Sequence, residues 1–219
     1  VVQLSEEAKN REDIPKGIEL YLEQVGQQSD DDINLAKTAL MIGAIESPSL
    51  HLGRYEHHIQ KLIDEVATRY KELLEAGADP SSEAQLAALK FVMIDTHDYS
   101  GDIEKYDDLQ NMNLIRVIER RKGIPAALSL IYMHVGQAQG WDITALNFPA
   151  HVLCRIEKDG KRLIFDPFNG CAVMNAPELR ILLKELIGGH VELSADYYES
   201  STKRELIIRL QNNKKLRQI

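Results

Sequence analysis

An α+β fold is predicted, with a helical N-terminal layer packed on a core that contains a small antiparallel sheet. Three observations predict it. Apolar residues recur at helical spacing through most of the first hundred residues. Two β-rich runs, Val152 to Ile156 and Arg162 to Phe165, flank an Asp159-Gly160 turn signal. Between these zones, Gly123-Ile124-Pro125 opens a long apolar stretch of helical period. The expected layout is a helical region over 1–100, a core over 101–190 and a helical tail over 191–219.

The N-terminal elements follow from their start and stop signals. Ser29-Asp30-Asp31-Asp32 reads as a helix start, followed by Ile33, Ala36, Leu40 and Ala44 up to Ser47-Pro48. Leu52 to Ala76 forms a longer amphipathic helix that buries Ile59, Leu62, Ile63, Val66 and Leu73. Asp79-Pro80-Ser81-Ser82 is a linker and cap, with Gln85 at the capping-box position of a helix over Ala84 to Thr96. Asn111 to Arg121 spaces Leu114, Val117 and Ile118 as a helix that ends in basic residues and Gly123. Ala126 to Gln139 continues the Gly-Ile-Pro start, with Leu128, Ile131, Tyr132 and Val135 on one stripe. Pro177 to Leu186 and Lys203 to Leu210 supply the late helices.

The hairpin places two polar residues together. With Asp159 and Gly160 as the loop, Lys158 pairs with Lys161, and Cys154 opposes Phe165. Side chains alternate faces along a strand, so His151 shares a face with Asp166 as a diagonal neighbour. That is where a thiol-protease-like triad would hold its base and orienter. Cys154 falls on the opposite face and reads as a small buried side chain. A nucleophile at the start of the helix would gain thiolate character from the helix dipole. The chain offers Pro125, Ala126 and Ala127 there, and Pro125 also lacks the N–H that would help hold an oxyanion.

Gly-Ile-Pro-Ala-Ala-Leu-Ser-Leu-Ile-Tyr, Asn-Phe-Pro-Ala-His-Val-Leu and Phe-Asp-Pro-Phe-Asn-Gly resemble the bacterial transglutaminase-like proteins of the SirB type. The resemblance is dense from Tyr106 to Phe168 and looser over the flanking helices. It implies a transglutaminase-like (papain-like) core in which a Gly-x-Cys starts the long helix, a His follows on one strand and an Asp on the next. Carried onto this chain, the Gly matches Gly123, the His matches His151 and the Asp matches Asp166. The Cys falls on Pro125, or on Ala126 with a slip of one. Proteins of this type often continue into helical C-terminal segments, so an extension is expected to be absent or cut away after Ile219. Val1 in place of Met suggests a chain shorter than its translation product.

Composition narrows the classes. The 219 residues suffice for one large domain, or one and a half, with ample core. The most apolar stretch, Ile124 to Val135, is too short to span a membrane and starts beside a Pro. Two cysteines give neither a disulfide framework nor zinc spacing, and a cytoplasmic location is expected. The net charge of −8 argues against nucleic-acid binding. Lys203 to Ile219 nevertheless carries +5, which serves either its own helix terminus or docking on an acidic surface, including that of its own body. His51, His57 and His58 do not converge on one ion, and Asp95, His97, Asp98 and Asp102 lack calcium-loop spacing. No metal and no cofactor is expected.

Two functions are therefore carried forward. One is a non-catalytic module that binds a protein or peptide in a regulatory or assembly role. Its expected binding residues are Asn111, Arg120, Arg121, Gly123 and Pro125, in a cleft beside His151. The other is a cysteine-dependent acyl transferase or amidase with Cys171 as displaced nucleophile, His151 as base and Asp166 as orienter, Ser129 being a fainter candidate.

Overall fold

The computed structural model describes residues 15–47, 49–188 and 191–216. The N-terminal layer is built from α1 (Lys16–Gln27), α2 (Leu35–Ala44), α3 (Gly53–Glu75) and α4 (Ser82–Lys90). α3 turns Tyr55, Ile59, Leu62 and Val66 inward, the stripe expected of a helix lying on a core. α2 starts later than the acidic run suggests. Its cap is Asn34, whose side chain accepts from the Lys37 amide at 2.9 Å. The N-cap of α4 is Ser81, which accepts from the Ala84 amide at 3.2 Å, one residue before the register that would use Gln85 as a capping-box partner. α4 then widens into a π-helical segment, Phe91–Thr96, where a continuous α-helix was expected.

The predicted helix over Asn111 to Arg121 is split. A 3₁₀ turn, Leu109–Met112, is followed by α5, Leu114–Arg120, with Asn113 between them. The Asn113 side chain accepts from the Ile115 amide at 3.0 Å and donates to the Gly43 carbonyl at 3.1 Å and to Glu46 at 2.8 Å. Its amide thus caps α5 and ties it to the N-terminal layer, which breaks the helix at that point. Arg121 ends α5 in the left-handed region at φ 59. The chain next forms a short parallel pair between β1 (Ser100–Gly101) and β2 (Lys122–Gly123).

α6 (Pro125–Ala138) runs through the centre of the molecule. Leu128, Leu130, Ile131, Tyr132 and Val135 are all buried, so this helix is apolar around its circumference, as a core helix must be. Gly136 lets β3 approach closely: a Cβ there would sit 2.8 Å from a methyl of Ile143. The main sheet is antiparallel, in the order β3 (Asp142–Leu146), β4 (Leu153–Lys158), β5 (Lys161–Asp166), β6 (Ala172–Val173). The register agrees with the count from the turn: Lys158 faces Lys161 and Cys154 faces Phe165. Asp159 and Gly160 have φ of 51 and 75, as a primed hairpin turn requires.

The closing elements are α7 (Ala176–Ile187), a 3₁₀ turn (Ala195–Tyr198) and α8 (Lys203–Leu216). α8 runs beyond the expected end at Leu210 and buries Leu206, Ile207 and Leu210 in the main core. Its cations dock on the chain's own body. The Asp30 carboxylate accepts from the Lys203 and Arg204 amides at 2.8 and 2.9 Å, so the acidic run expected to start α2 caps α8 instead. Lys203 Nζ donates to the Asp31 and Ile33 carbonyls, and Lys214 pairs with Glu46. One core accordingly takes in residues from Ile18 to Leu210, and a smaller cluster around Phe148, Leu153, Leu179 and Leu183 lies under α7. No described helix is long and apolar enough to cross a membrane.

Candidate active site

The strand termini bring His151 and Asp166 together. His151 Nε2 lies 2.9 Å from Asp166 Oδ2, and both residues are buried. Asp166 closes β5 immediately before Pro167, and its Oδ1 accepts from the Phe168 amide at 2.9 Å in a side-chain turn. Oδ2 also accepts from Asn169 Nδ2 at 2.6 Å. An ionised carboxylate only accepts, so Nε2 carries the hydrogen in this pair and Nδ1 is the nitrogen directed away from Asp166. The Phe168 ring packs edge-on to the imidazole, with centroids 6.0 Å apart. Gly101 in turn supports Phe168, since a Cβ at Gly101 would come within 2.6 Å of the ring.

A tight turn aims the imidazole. The His151 amide donates to the Phe148 carbonyl at 3.3 Å, with Pro149 and Ala150 between them. Ala150 has φ 54, in the left-handed region that suits glycine. Pro at the first central position and a positive φ at the second describe a type II turn. Ala150→Gly is therefore expected to leave stability unchanged or raise it by up to about 1 kcal/mol, the relief at this backbone offsetting the added freedom of the unfolded chain. Thermal or urea unfolding of the variant checks this; a loss of stability would mean that the Ala150 methyl packs usefully.

Facing His151 is the start of α6. Ile124 is its cap residue and Pro125 its first helical residue, which leaves no reactive side chain in the first turn. A cavity of about 220 Å³ lies there, lined by Pro125, Ala126, His151, Arg209, Asn212 and Leu216 among others. Among the described residues, neither Cys, Ser nor Thr lines it. Cys171 sits in a left-handed turn at φ 58, with its thiol donating to the Tyr132 hydroxyl at 3.2 Å. Burial pushes that thiol up to about 12, with the Tyr132 hydrogen bond opposing. Cys154 is fully buried, its thiol directed at the Ser129 carbonyl at 3.9 Å, and burial raises it well above the ordinary thiol range. Ser129, also fully buried, donates to the Val152 carbonyl at 3.4 Å. No thiol in this arrangement is poised to ionise.

The expected polar cleft is taken up by the fold. Asn111 is completely buried; its Nδ2 donates to the Lys105 carbonyl at 2.7 Å and its Oδ1 accepts from Arg120 at 2.9 Å. Arg120 also pairs with Asp102 at 2.7 Å. Arg121 lies over the Tyr99 ring and donates to the Tyr99 hydroxyl at 2.9 Å and to the Ile118 carbonyl at 2.6 Å, with His58 Nε2 2.7 Å away. Burial first, and the Arg121 cation second, hold His58 near 4, so its ring is neutral beside the guanidinium. Gly123 serves through its backbone, accepting from the Asp102 amide at 3.2 Å. Of the expected binding residues, Pro125 alone lines the cavity.

Arg209 went unread in the sequence. It donates to the Phe148 and His151 carbonyls at 2.7 and 2.5 Å and to Asn147 Oδ1 at 3.2 Å, which fixes the turn that carries His151. Its only signal is position: it flanks the Leu206, Ile207 and Leu210 stripe of α8. Among the described residues, no group of three or more His, Cys, Asp or Glu side chains could hold a metal ion.

A family model described as transglutaminase-like superfamily matches residues 54–212. The chain belongs to this superfamily. The match spans α3 to α8 and so includes every wall of the transglutaminase-like cavity except Asn213 and Leu216. The chain is 29% identical over 187 residues to a UPF0162 protein of Xylella fastidiosa, covering 84% of this chain and 64% of that protein. It is 27% identical over 141 residues to a UPF0162 protein of Vibrio cholerae, covering 64% of this chain and 50% of that protein. A shorter stretch of 70 residues is 34% identical to mouse F-box only protein 21, covering 32% of this chain and 11% of that protein. The chain thus spans less than two thirds of the length of the curated relatives it matches. No solved structure gives a significant match.

Proposed function

We propose that this chain is a non-catalytic transglutaminase-like module of the SirB type, which binds a protein or peptide in a regulatory or assembly role. The observation that carries the reading is the pairing of an intact His151–Asp166 contact with Pro125 and Ala126 across the cavity. A base and its orienter have value in acyl transfer only beside a group they can deprotonate. In this pocket the group facing His151 is a proline ring and an alanine methyl. The burial of both thiols supports the same reading, since neither Cys171 nor Cys154 offers an accessible thiolate. A small, partly apolar cavity at a helix start suits capture of a short side chain or chain end.

The experiment is a turnover screen with peptide amides, esters and thioesters, with and without an added amine acceptor, on the wild type and on His151→Ala. Equal, background rates are expected for both proteins. Turnover in the wild type that disappears in His151→Ala would overturn the reading and return the chain to the enzymes.

A further inference from the structure

The cavity beside His151 is lined by a cation, Arg209, that no described carboxylate pairs with. Arg209 is held by the Phe148 and His151 carbonyls and by Asn147 Oδ1, all uncharged acceptors. Among the described residues no carboxylate forms an ion pair with it, whereas Arg120, away from this cavity, has Asp102. Burial draws Arg209 down from the ordinary arginine value, which records the cost of keeping its charge there. Its remaining N–H donors are not buried orphans, because no Arg209 nitrogen is both sealed from solvent and without a partner. Arg209 lines the same cavity as Pro125, Ala126, His151 and Asn212.

Several carboxylates of the described chain are already committed. Both oxygens of Asp166 are occupied by His151, Phe168 and Asn169. Glu205 accepts from the Thr202 amide at the start of α8, and Glu46 pairs with Lys214. The other polar wall groups described are Tyr106, His151, Asn212 and Asn213, none of them an anion at neutral pH. With Nη2 committed to the Phe148 and His151 carbonyls and Nη1 to Asn147, Nε–H and one Nη1–H remain for a charge-assisted hydrogen bond to a carboxylate, and the start of α6 adds a favourable field for negative charge. A cavity of about 220 Å³ accommodates one small residue with its terminal carboxylate and little more.

We propose that this cavity binds a carboxylate at the end of a peptide chain, with Arg209 as the recognising cation and Asn212 and the α6 start as its surroundings. The inference rests on the binding-module reading and names the chemical class of its ligand.

The test is a titration of the full 219-residue chain with N-acetyl-dialanine, its C-terminal amide and inorganic phosphate, followed by amide and Arg209 Nε signals in nitrogen–proton spectra. N-acetyl-dialanine is expected to shift Ala126, Val152 and Arg209 signals saturably, and the amide to leave them in place. Arg209→Gln removes the cation but also the clamps on Phe148 and His151, so a second variant is needed. Asn212 is exposed, lines the cavity and can be exchanged almost isosterically. Asn212→Asp places a negative charge beside the ligand and is expected to weaken binding by about five- to tenfold with no change in melting temperature. Equal affinity for acid and amide would overturn the carboxylate assignment and leave peptide binding standing. Saturable shifts with phosphate alone would overturn it in favour of a simple anion site. No saturable shift with any of the three probes would overturn it outright, whereas the turnover screen bears on the module reading by itself.

Discussion

Asp166→Ala is expected to lower the free energy of unfolding by about 3–5 kcal/mol, read from urea denaturation at neutral pH. The carboxylate is completely buried and satisfies three donors at once: His151 Nε2, the Phe168 amide and Asn169 Nδ2. Its removal leaves an imidazole, a backbone N–H and a side-chain amide without an acceptor, and adds a small cavity. Unpaired buried donors are costly because water cannot replace the lost partner. His151→Ala is the informative contrast. It leaves Asp166 with two of its three donors, so its expected cost is smaller, about 1–3 kcal/mol. That asymmetry separates an acceptor that organises its surroundings from a simple ion pair, in which either deletion would expose the other partner. A loss below about 1 kcal/mol for Asp166→Ala would place it among ordinary surface substitutions and show that the turn after β5 stands without its carboxylate.

The features readable in the sequence are those set by local geometry. Asp159-Gly160 admits a turn with two positive φ values, and from that turn the register of β4 and β5 follows residue by residue to Cys154 and Phe165. The His151–Asp166 contact lies just beyond that register: the count brings the end of β5 beside the entry to β4, and the turn from Phe148 aims the imidazole. Pro125 at the start of α6 was legible for the same reason, its ring being pre-set for the first helical turn. Features that depend on distant partners were not legible. Asp30 stands where a helix start is expected, yet it caps a helix whose first residues lie 173 and 174 positions later. Arg209 reaches the His151 turn across 58 positions, and no local pattern announces that meeting. β3 carries no turn signal of the Asp-Gly kind and gains its place by pairing with β4 and packing on Gly136 of α6. Asn111, Arg120 and Arg121 illustrate the opposite difficulty. Spacing shows that polar residues lie near one another, but not whether they satisfy each other or wait for a ligand. Here Asn111 and Arg120 satisfy each other, and Arg121 is taken up by Tyr99 and the Ile118 carbonyl.

That closure gives the second large effect. Arg120→Ala is expected to destabilise the protein by about 3 kcal/mol, because it leaves Asp102 as an uncompensated carboxylate in a nearly closed site. Arg120 Nη2 is 2.7 Å from Asp102 Oδ2, whose side chain is 3% exposed, and Nη1 is 2.9 Å from Asn111 Oδ1. Asp102 also accepts from the Lys105 amide at 3.1 Å, while its own amide donates to Gly123 at the entry to α6. Burial works to raise the Asp102 carboxyl, but hydrogen bonds from Asn111, the Lys105 amide and Arg120 outweigh it and hold the group below its ordinary value. A carboxyl depressed in the folded state contributes stability above its unfolded pKa of about 3.9 and loses it as pH falls through the lower folded value. With Arg120 removed, part of that depression goes, so the acid loss of stability should begin at higher pH. The gap between wild type and Arg120→Ala should be widest above about pH 5 and narrow below about pH 4, where protonated Asp102 no longer needs a cation. Arg120→Lys keeps the charge without the fork and should recover only part of the loss. A gap of constant size from pH 3 to 7 would mean that the arginine acts through the packing of its stem, and that Asp102 is held by Asn111 and the backbone alone.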